Sequence, residues 1–383
     1  MRPARSPRYS FVARSGLFAL LALLPVLASA AAAEGPDAAT ARLIAELGLQ
    51  ESATPVREDP GWRAPGRILV AVDTPERLTW LEAVAGDAKL IAVSSATEAE
   101  KALEGARALL GICSPELIAA GKELHWVQSY SAGVERCVDT PALRERGMIL
   151  TNAQRLYGPA IAEHAVAMML MLARGLDVYH QRQAGGLWDR GLDDYADSTW
   201  ELAGRTLLVV GLGGIGTEIA RRAHALGMDV IATRSSSRRG PDFVSYVGLP
   251  DELHELASRA DIIVNATPLV PATEALFDEA FFRAAKRGTY FINIGRGRSV
   301  VTEDLVAALE AGHIAGAGLD VTDPEPLPES HPLWSMPRVI ITPHISARTQ
   351  ASGERRWLLV RENLRRYVAG EPMLSEVDVH RGY

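Results

Sequence analysis

From Arg67 onward the chain alternates short runs that are apolar at nearly every position with longer segments whose apolar residues recur at helical spacing. The runs Arg67–Val72, Lys89–Val93, Ala108–Ile112 and Trp126–Ser129 read as strands, and Glu76–Ala85 and Glu98–Glu104 between them read as helices. A strand that is apolar throughout must be covered on both faces. Strands alternating with helices achieve this by wrapping a parallel sheet. After Asn152 comes Pro159–Arg174, which is apolar around its whole circumference and so is expected in the interior. A second alternating series begins at Arg205 and runs to about Pro343, and the last helix, Ala351–Ala369, is amphipathic.

The first 33 residues break this pattern. They hold no acidic residue, four arginines (Arg2, Arg5, Arg8, Arg14), an apolar run from Gly16 to Leu27, and the small residues Ala28-Ser29-Ala30 and Ala31-Ala32-Ala33. Basic, apolar and small segments in that order make a signal peptide over 1–33 and an exported, periplasmic protein the expectation. The alternatives are a mitochondrial leader, or a cytoplasmic chain with a misassigned start. The run is short for a membrane span and Pro25 interrupts it, so no stable insertion is expected after cleavage. From 34 to 65 the prolines Pro36, Pro55, Pro60 and Pro65 break the pattern; Ala38–Leu49 can form a helix and the rest reads as linker.

Composition narrows the classes. With 383 residues, 48% hydrophobic and 23% charged, the chain suits a globular enzyme of two domains. A formal charge of −7, with no basic concentration in the folded part outside Arg234–Arg239, argues against a nucleic-acid partner. Cys113 and Cys137 are too few for a disulfide framework and lack metal-site spacing, and no metal is expected. They are two buried thiols or, in an oxidising compartment, one bridge.

The strand Thr206–Val210 runs directly into Gly211-Leu212-Gly213-Gly214-Ile215-Gly216, which opens the helix Thr217–Leu226. This is G-x-G-x-x-G in the strand–turn–helix setting that a dinucleotide site needs. Gly211 permits the tight turn, Gly213 lets a pyrophosphate approach, and Gly216 lets helix and strand pack closely. The helix N-terminus, at Gly214 and Ile215, offers N–H groups to the phosphates. The next strand, Asp229–Thr233, ends at Arg234-Ser235-Ser236-Ser237-Arg238-Arg239, where NAD-selective sites carry an acid for the ribose 2′-hydroxyl. A carboxylate would repel a 2′-phosphate, whereas Arg234 and Ser235 would bind one. The expected cofactor is therefore NADP, with NAD as the alternative.

Three further strands each deliver a polar residue just past their carboxyl ends, where open parallel sheets bind ligands. Tyr290–Ile294 leads to Gly295-Arg296-Gly297, Ile314–Val321 to Asp323-Pro324-Glu325-Pro326-Leu327, and Val339–Thr342 to Pro343-His344. Together with Ser131-Ala132-Gly133-Val134, Ala266-Thr267-Pro268-Leu269 and Gly318-Leu319-Asp320-Val321, these segments make the chain resemble the D-2-hydroxyacid dehydrogenases from about Gly66 to Pro372. The resemblance implies an α/β protein of two parallel-sheet domains, Rossmann-like or flavodoxin-like, with a cleft between them. Residues 66–155, completed by 346–383, would be the substrate domain and 156–345 the dinucleotide domain. It implies that Arg296 holds the carboxylate and carbonyl of a small 2-oxo acid with its forked guanidinium. His344 would protonate the carbonyl oxygen in reduction and act as base in oxidation, work suited to an imidazole, whose ordinary pKa is about 6.5. Glu325 would pair with His344, and backbone N–H groups of Ala132, Gly133 and Val134 would bind the substrate carboxylate. Asp320 would lie near the nicotinamide, and Thr267 and Pro268 along the cofactor ribose. A homodimer is implied, with Leu176–Tyr195 as the arm between subunits; Trp188 reads as a packing residue, with the alternative that, as a similar Trp does in related reductases, it reaches a neighbouring subunit's site.

Within the family, Thr322–Pro328 and Gly370-Glu371-Pro372 are similar to glyoxylate/hydroxypyruvate reductases, and Glu325 argues against the formate branch, which lacks that acid. Two other readings remain: a phosphite-type dehydrogenase, and a non-catalytic dinucleotide sensor of the same fold. The leader conflicts with the cofactor, because NADPH is not freely available outside the cytoplasm.

Overall fold

The computed structural model describes residues 35–63, 66–189 and 199–382. The expected leader and the far end of the expected arm, residues 190–195, lie outside them. Strands β1 (Arg67–Ala71), β2 (Lys89–Val93), β3 (Ala106–Leu110), β4 (Trp126–Gln128) and β5 (Ile149–Thr151) form one parallel sheet in the order β2-β1-β3-β4-β5. Strands β6 (Thr206–Val210), β7 (Asp229–Thr233), β8 (Tyr246–Gly248), β9 (Ile262–Asn265), β10 (Thr289–Asn293), β11 (Ile314–Leu319) and β12 (Val339–Ile341) form the second, in the order β12-β11-β10-β9-β6-β7-β8. The first order is flavodoxin-like and the second Rossmann-like, with its strand order reversing between β6 and β9.

Every residue of β9 and β10 is buried, as strands covered on both faces should be. The apolar helix Gly158–Ala173 supplies one of those covers. Its Met168, Met169 and Leu172 share a core with Leu207 and Val209 of β6 and with Ile219, Ala220 and Ala223 of the helix Gly214–Ala225. Each such side chain contributes about 1.5–3 kcal/mol by leaving water.

The last helix, Gln350–Ala369, returns to the first sheet, where Trp357, Val360, Leu364 and Tyr367 pack with Ile68, Val70 and Trp126. Its start is set by a capping box between Thr349 and Ser352, with both backbone-to-side-chain bonds at 3.0 Å. This helix is less simply amphipathic than its sequence suggests, because Glu362, Arg365 and Arg366 are buried as well. They satisfy one another: Glu362 Oε1 accepts from Arg366 Nε at 2.6 Å and from Arg365 Nη2 at 3.0 Å.

One reading of the sequence is corrected here, and one that it left open is decided. Residues 35–63 are not a linker: Leu43 and Leu49 join Leu359 and Leu374 in a small core, and Val56 is buried with Ile68 and Val70. The prolines punctuate a packed segment. Of the two alternatives left open for Cys113 and Cys137 the structure has the disulfide, with Cα atoms 5.2 Å apart. The bond ties the loop after β3 to the short helix Glu135–Val138 and is of the kind that oxidising compartments sustain.

Candidate active site

The carboxyl ends of the two sheets face a common cleft that encloses about 780 Å³. The first sheet contributes Ser131, Ala132 and Gly133 after β4, and the second contributes Ile215, Ile294, Arg296 and His344. Arg296 follows β10 and His344 follows β12, as strand ends in parallel sheets dictate.

His344 Nδ1 lies 2.7 Å from Glu325 Oε1, which leaves Nε2 for the cleft. The histidine backbone is in the left-handed region, φ 52°, which a side chain other than glycine adopts only when its surroundings impose it. Asp320 imposes it. Its carbonyl accepts from the His344 N–H at 2.8 Å. Its buried carboxylate accepts from Thr342 Oγ1 at 2.6 Å, from the Ile345 N–H at 2.9 Å and from the Ser346 N–H at 3.1 Å. Burial pushes the Asp320 carboxyl up, but these donors outweigh it and hold it below the usual carboxylate range. The sequence reading placed Asp320 beside the cofactor; the structure shows both of its carboxylate oxygens bonded to the loop that carries His344.

Arg296 Nη1 donates to the Gly295 carbonyl at 2.8 Å and Nε donates to Glu135 Oε1 at 2.9 Å. Nη2 lies against Gly133, where an added Cβ would stand 1.8 Å from it. Arginine and substrate loop therefore meet across the cleft, and Gly133 is a glycine because the guanidinium needs that room. The Arg296 loop is pinned from below by buried amides. Asn293 Nδ2 and Ser299 Oγ donate to the Arg296 carbonyl, and Asn265 Nδ2 donates to both Asn293 and Ser299. Across the cleft, Asn152 Nδ2 donates to the Ala132 carbonyl at 2.7 Å. The N–H groups of Ala132, Gly133 and Val134 have no acceptor among the described residues. Such a row of unused donors suits a carboxylate.

The glycine segment fits a dinucleotide. Gly211 has φ 98°, and a Cβ on Gly216 would lie 2.2 Å from the Gly211 carbonyl oxygen, so turn and packing require these two. A Cβ on Gly213 would meet nothing within 4 Å, so the protein itself does not demand that glycine. The space is the room a pyrophosphate needs, at the N-terminus of Gly214–Ala225. Thr267 is buried and bonded to Asn265 Oδ1 through both N–H and Oγ1, and Pro268 is exposed beside it. In the basic turn, Arg238 is taken by Glu252 at 2.6 Å and Tyr246 at 3.0 Å. Among the described residues the Arg234 guanidinium donates to the Arg239 carbonyl alone, at 3.1 Å, and Ser235 is exposed.

Of the residues named from sequence, the cleft itself gathers Ala132, Gly133, Ile215, Arg296 and His344, with Glu325 and Asp320 supporting His344. Gly211 and Gly213 follow β6, Arg234 and Ser235 follow β7 and Thr267 follows β9, outside the lining of that cavity. Sequence reasoning missed Glu135, whose only signal was its place after Val134, and also Arg348 and Arg356, which line the same cavity.

A family model described as D-isomer specific 2-hydroxyacid dehydrogenase, NAD binding domain, matches residues 166–346. The human glyoxylate reductase/hydroxypyruvate reductase is 34% identical over 295 residues, which cover 74% of this chain and 87% of that one. Among solved structures, the D-isomer specific 2-hydroxyacid dehydrogenase from Xanthobacter autotrophicus, in complex with NADPH, is 29% identical with a TM-score of 0.72 over 84% of this chain and 100% of that one. The NADPH-dependent glyoxylate/hydroxypyruvate reductase from Sinorhizobium meliloti, in complex with NADP and sulfate, is 27% identical with a TM-score of 0.71 over 83% of this chain and 100% of that one.

Proposed function

The chain belongs to the D-isomer specific 2-hydroxyacid dehydrogenase family, oxidoreductases acting on CH–OH groups, and from that premise we propose that it reduces a short 2-oxo acid with NADPH, glyoxylate and hydroxypyruvate being the first candidates. The observation that carries the reading is the convergence of Arg296 and the His344–Glu325 pair with the unused N–H groups of Ala132–Val134 in one cleft. The N–H groups and Arg296 hold the substrate carboxylate, and Arg296 also reaches the carbonyl oxygen. When bound, the reduced nicotinamide supplies the hydride taken up at the carbonyl carbon. His344 gives its Nε2 proton to the carbonyl oxygen, while Glu325 fixes the ring and balances the imidazolium charge. Gly211–Gly216 would cradle the pyrophosphate and Thr267 the ribose. Nicotinamide oxidation by the purified chain with glyoxylate, hydroxypyruvate and pyruvate tests this. Tight cofactor binding without turnover would favour a sensor.

NADPH preference rests on Arg234, whose guanidinium meets no acid among the described residues. One charge-assisted hydrogen bond to a 2′-phosphate is worth about 1.5–3 kcal/mol, or roughly 10- to 150-fold. Arg234→Asp should therefore lower the NADPH/NADH ratio of kcat/KM at least tenfold, since the new carboxylate also favours a 2′-hydroxyl. A ratio that does not move would discard the phosphate argument and leave the reductase standing.

A homodimer through the helix Leu176–Ala184 and the residues after it is part of the same proposal. Leu187 and Trp188 are 64% and 91% exposed, and adjacent large apolar side chains left in water mark a contact surface. Light scattering should give twice the chain mass; a monomer would remove the claim.

A further inference from the structure

We propose that the cleft selects a 2-oxo acid carrying a second anionic group, a carboxylate or phosphate, bound by Arg356 with Arg348 beside it. This rests on the 2-oxo acid reading and names its substrate class. Among the described residues, those lining the cavity include Arg296, Arg348, Arg356 and His344 and not one aspartate or glutamate. Arg296 is matched by Glu135 and, in the proposed reaction, by the carboxylate next to the carbonyl. Arg348 and Arg356 have no ion-pair partner among the described residues. The cavity therefore carries more cationic capacity than one carboxylate uses.

Arg356 is also built into place. Its guanidinium carbon lies 5.3 Å from the Tyr130 ring centroid and 5.2 Å from that of Trp357. Tyr130 is anchored on both sides: its hydroxyl donates to the Ala71 carbonyl at 3.0 Å, and its own carbonyl accepts from the Tyr157 hydroxyl at 2.5 Å. The Arg356 Nε is buried without an acceptor. An arginine serving only solubility would be neither laid on two aromatic rings nor stripped of water at Nε. Stacking fixes the plane of the guanidinium, which also meets the Tyr157 hydroxyl, and Arg356 lines the cavity, where the remaining N–H groups of its fork suit carboxylate or phosphate oxygens. Glyoxylate has nothing beyond its carbonyl to offer there, and a neutral hydroxymethyl leaves the charge uncompensated. The second anion takes no part in bond making; it orients the substrate and raises its occupancy.

The test is steady-state reduction by the full chain with NADPH and five acids: glyoxylate, hydroxypyruvate, oxaloacetate, 2-oxoglutarate and phosphohydroxypyruvate. At least one of the three doubly anionic acids should exceed hydroxypyruvate tenfold or more in kcat/KM, the effect of one charge-assisted hydrogen bond. Arg356→Met should lower that ratio tenfold or more, and Arg356→Lys should retain part of it. Preference for the phosphorylated acid or for the dicarboxylates identifies the second group. Hydroxypyruvate turned over as well as every doubly anionic acid, or a ratio indifferent to Arg356→Met, overturns the proposal and leaves the 2-oxo acid reading intact. No turnover of any of the five removes both. The wild-type comparison alone decides the matter if Arg356→Met does not fold.

Discussion

His344→Ala should lower kcat for reduction of the preferred 2-oxo acid by about a hundred- to ten-thousandfold while NADPH still binds, because a positioned general acid contributes about that much. In the folded chain His344 Nδ1 is committed to Glu325 at 2.7 Å, so the ring presents one nitrogen to the cleft. Among the described residues no other histidine lines that cavity, so a proton would have to come from water, without the positioning that makes the transfer fast. Backbone strain could confuse the result, since residue 344 has φ 52° and alanine tolerates the left-handed region poorly. His344→Asn separates the two effects. Asparagine accepts that conformation but cannot act as the acid, so both variants should be equally slow, with His344→Asn melting nearer the wild type. Activity of His344→Ala within tenfold of wild type, measured with saturating NADPH, would sink the assignment. Glu325→Gln should lose less, because the amide oxygen can still accept from Nδ1.

How much of this was legible in the chain follows from where each signal resides. Apolar runs announce themselves locally, and the buried strands Thr206–Val210 and Asp229–Thr233 and the edge strand Lys89–Val93 lie where those runs place them. The three-residue strands Ile149–Thr151 and Tyr246–Gly248 carry no period to read, and neighbouring strands recruit them. Residues 35–63 looked like a linker because prolines interrupt them, yet long-range contacts such as Val56 with Ile68 decide their place. Site residues divide the same way. Arg296, His344 and the glycines sit in short motifs whose chemistry is local. Glu135 acts on a partner 161 positions away, and Arg356 depends on Tyr130, so neither has a local signature. Asp320 was visible, but its bonds to the His344 loop were not. A motif marks a residue near a site without saying which of its neighbours takes its oxygens.

Arg296→Ala should lower kcat/KM by about 10²- to 10⁴-fold, the equivalent of two hydrogen bonds from a charged donor at about 1.5–3 kcal/mol each. The geometry explains why lysine is no substitute. Arg296 spends Nε on Glu135 and Nη1 on the Gly295 carbonyl, and its remaining N–H groups face the substrate loop at Gly133. An ammonium on a flexible stem cannot hold Glu135 and a substrate carboxylate at fixed angles together, so Arg296→Lys should recover at most about tenfold of the loss. Added guanidinium should restore part of the Arg296→Ala rate if the loss is one of charge and donors, and should do nothing if the loop has collapsed. The ion pair supplies a sharper check. Removing the arginine leaves Glu135 as an unmatched carboxylate beside an incoming anion, which repels the substrate beyond the mere loss of contact. In the Arg296→Ala background, Glu135→Gln should therefore raise kcat/KM, whereas in the wild-type background it should lower it by loosening the arginine. That opposite sign is coupling of the kind a double-mutant cycle measures. Arg296→Ala within tenfold of wild type, or the same sign of Glu135→Gln in both backgrounds, would show that the two residues do not share the substrate carboxylate's site.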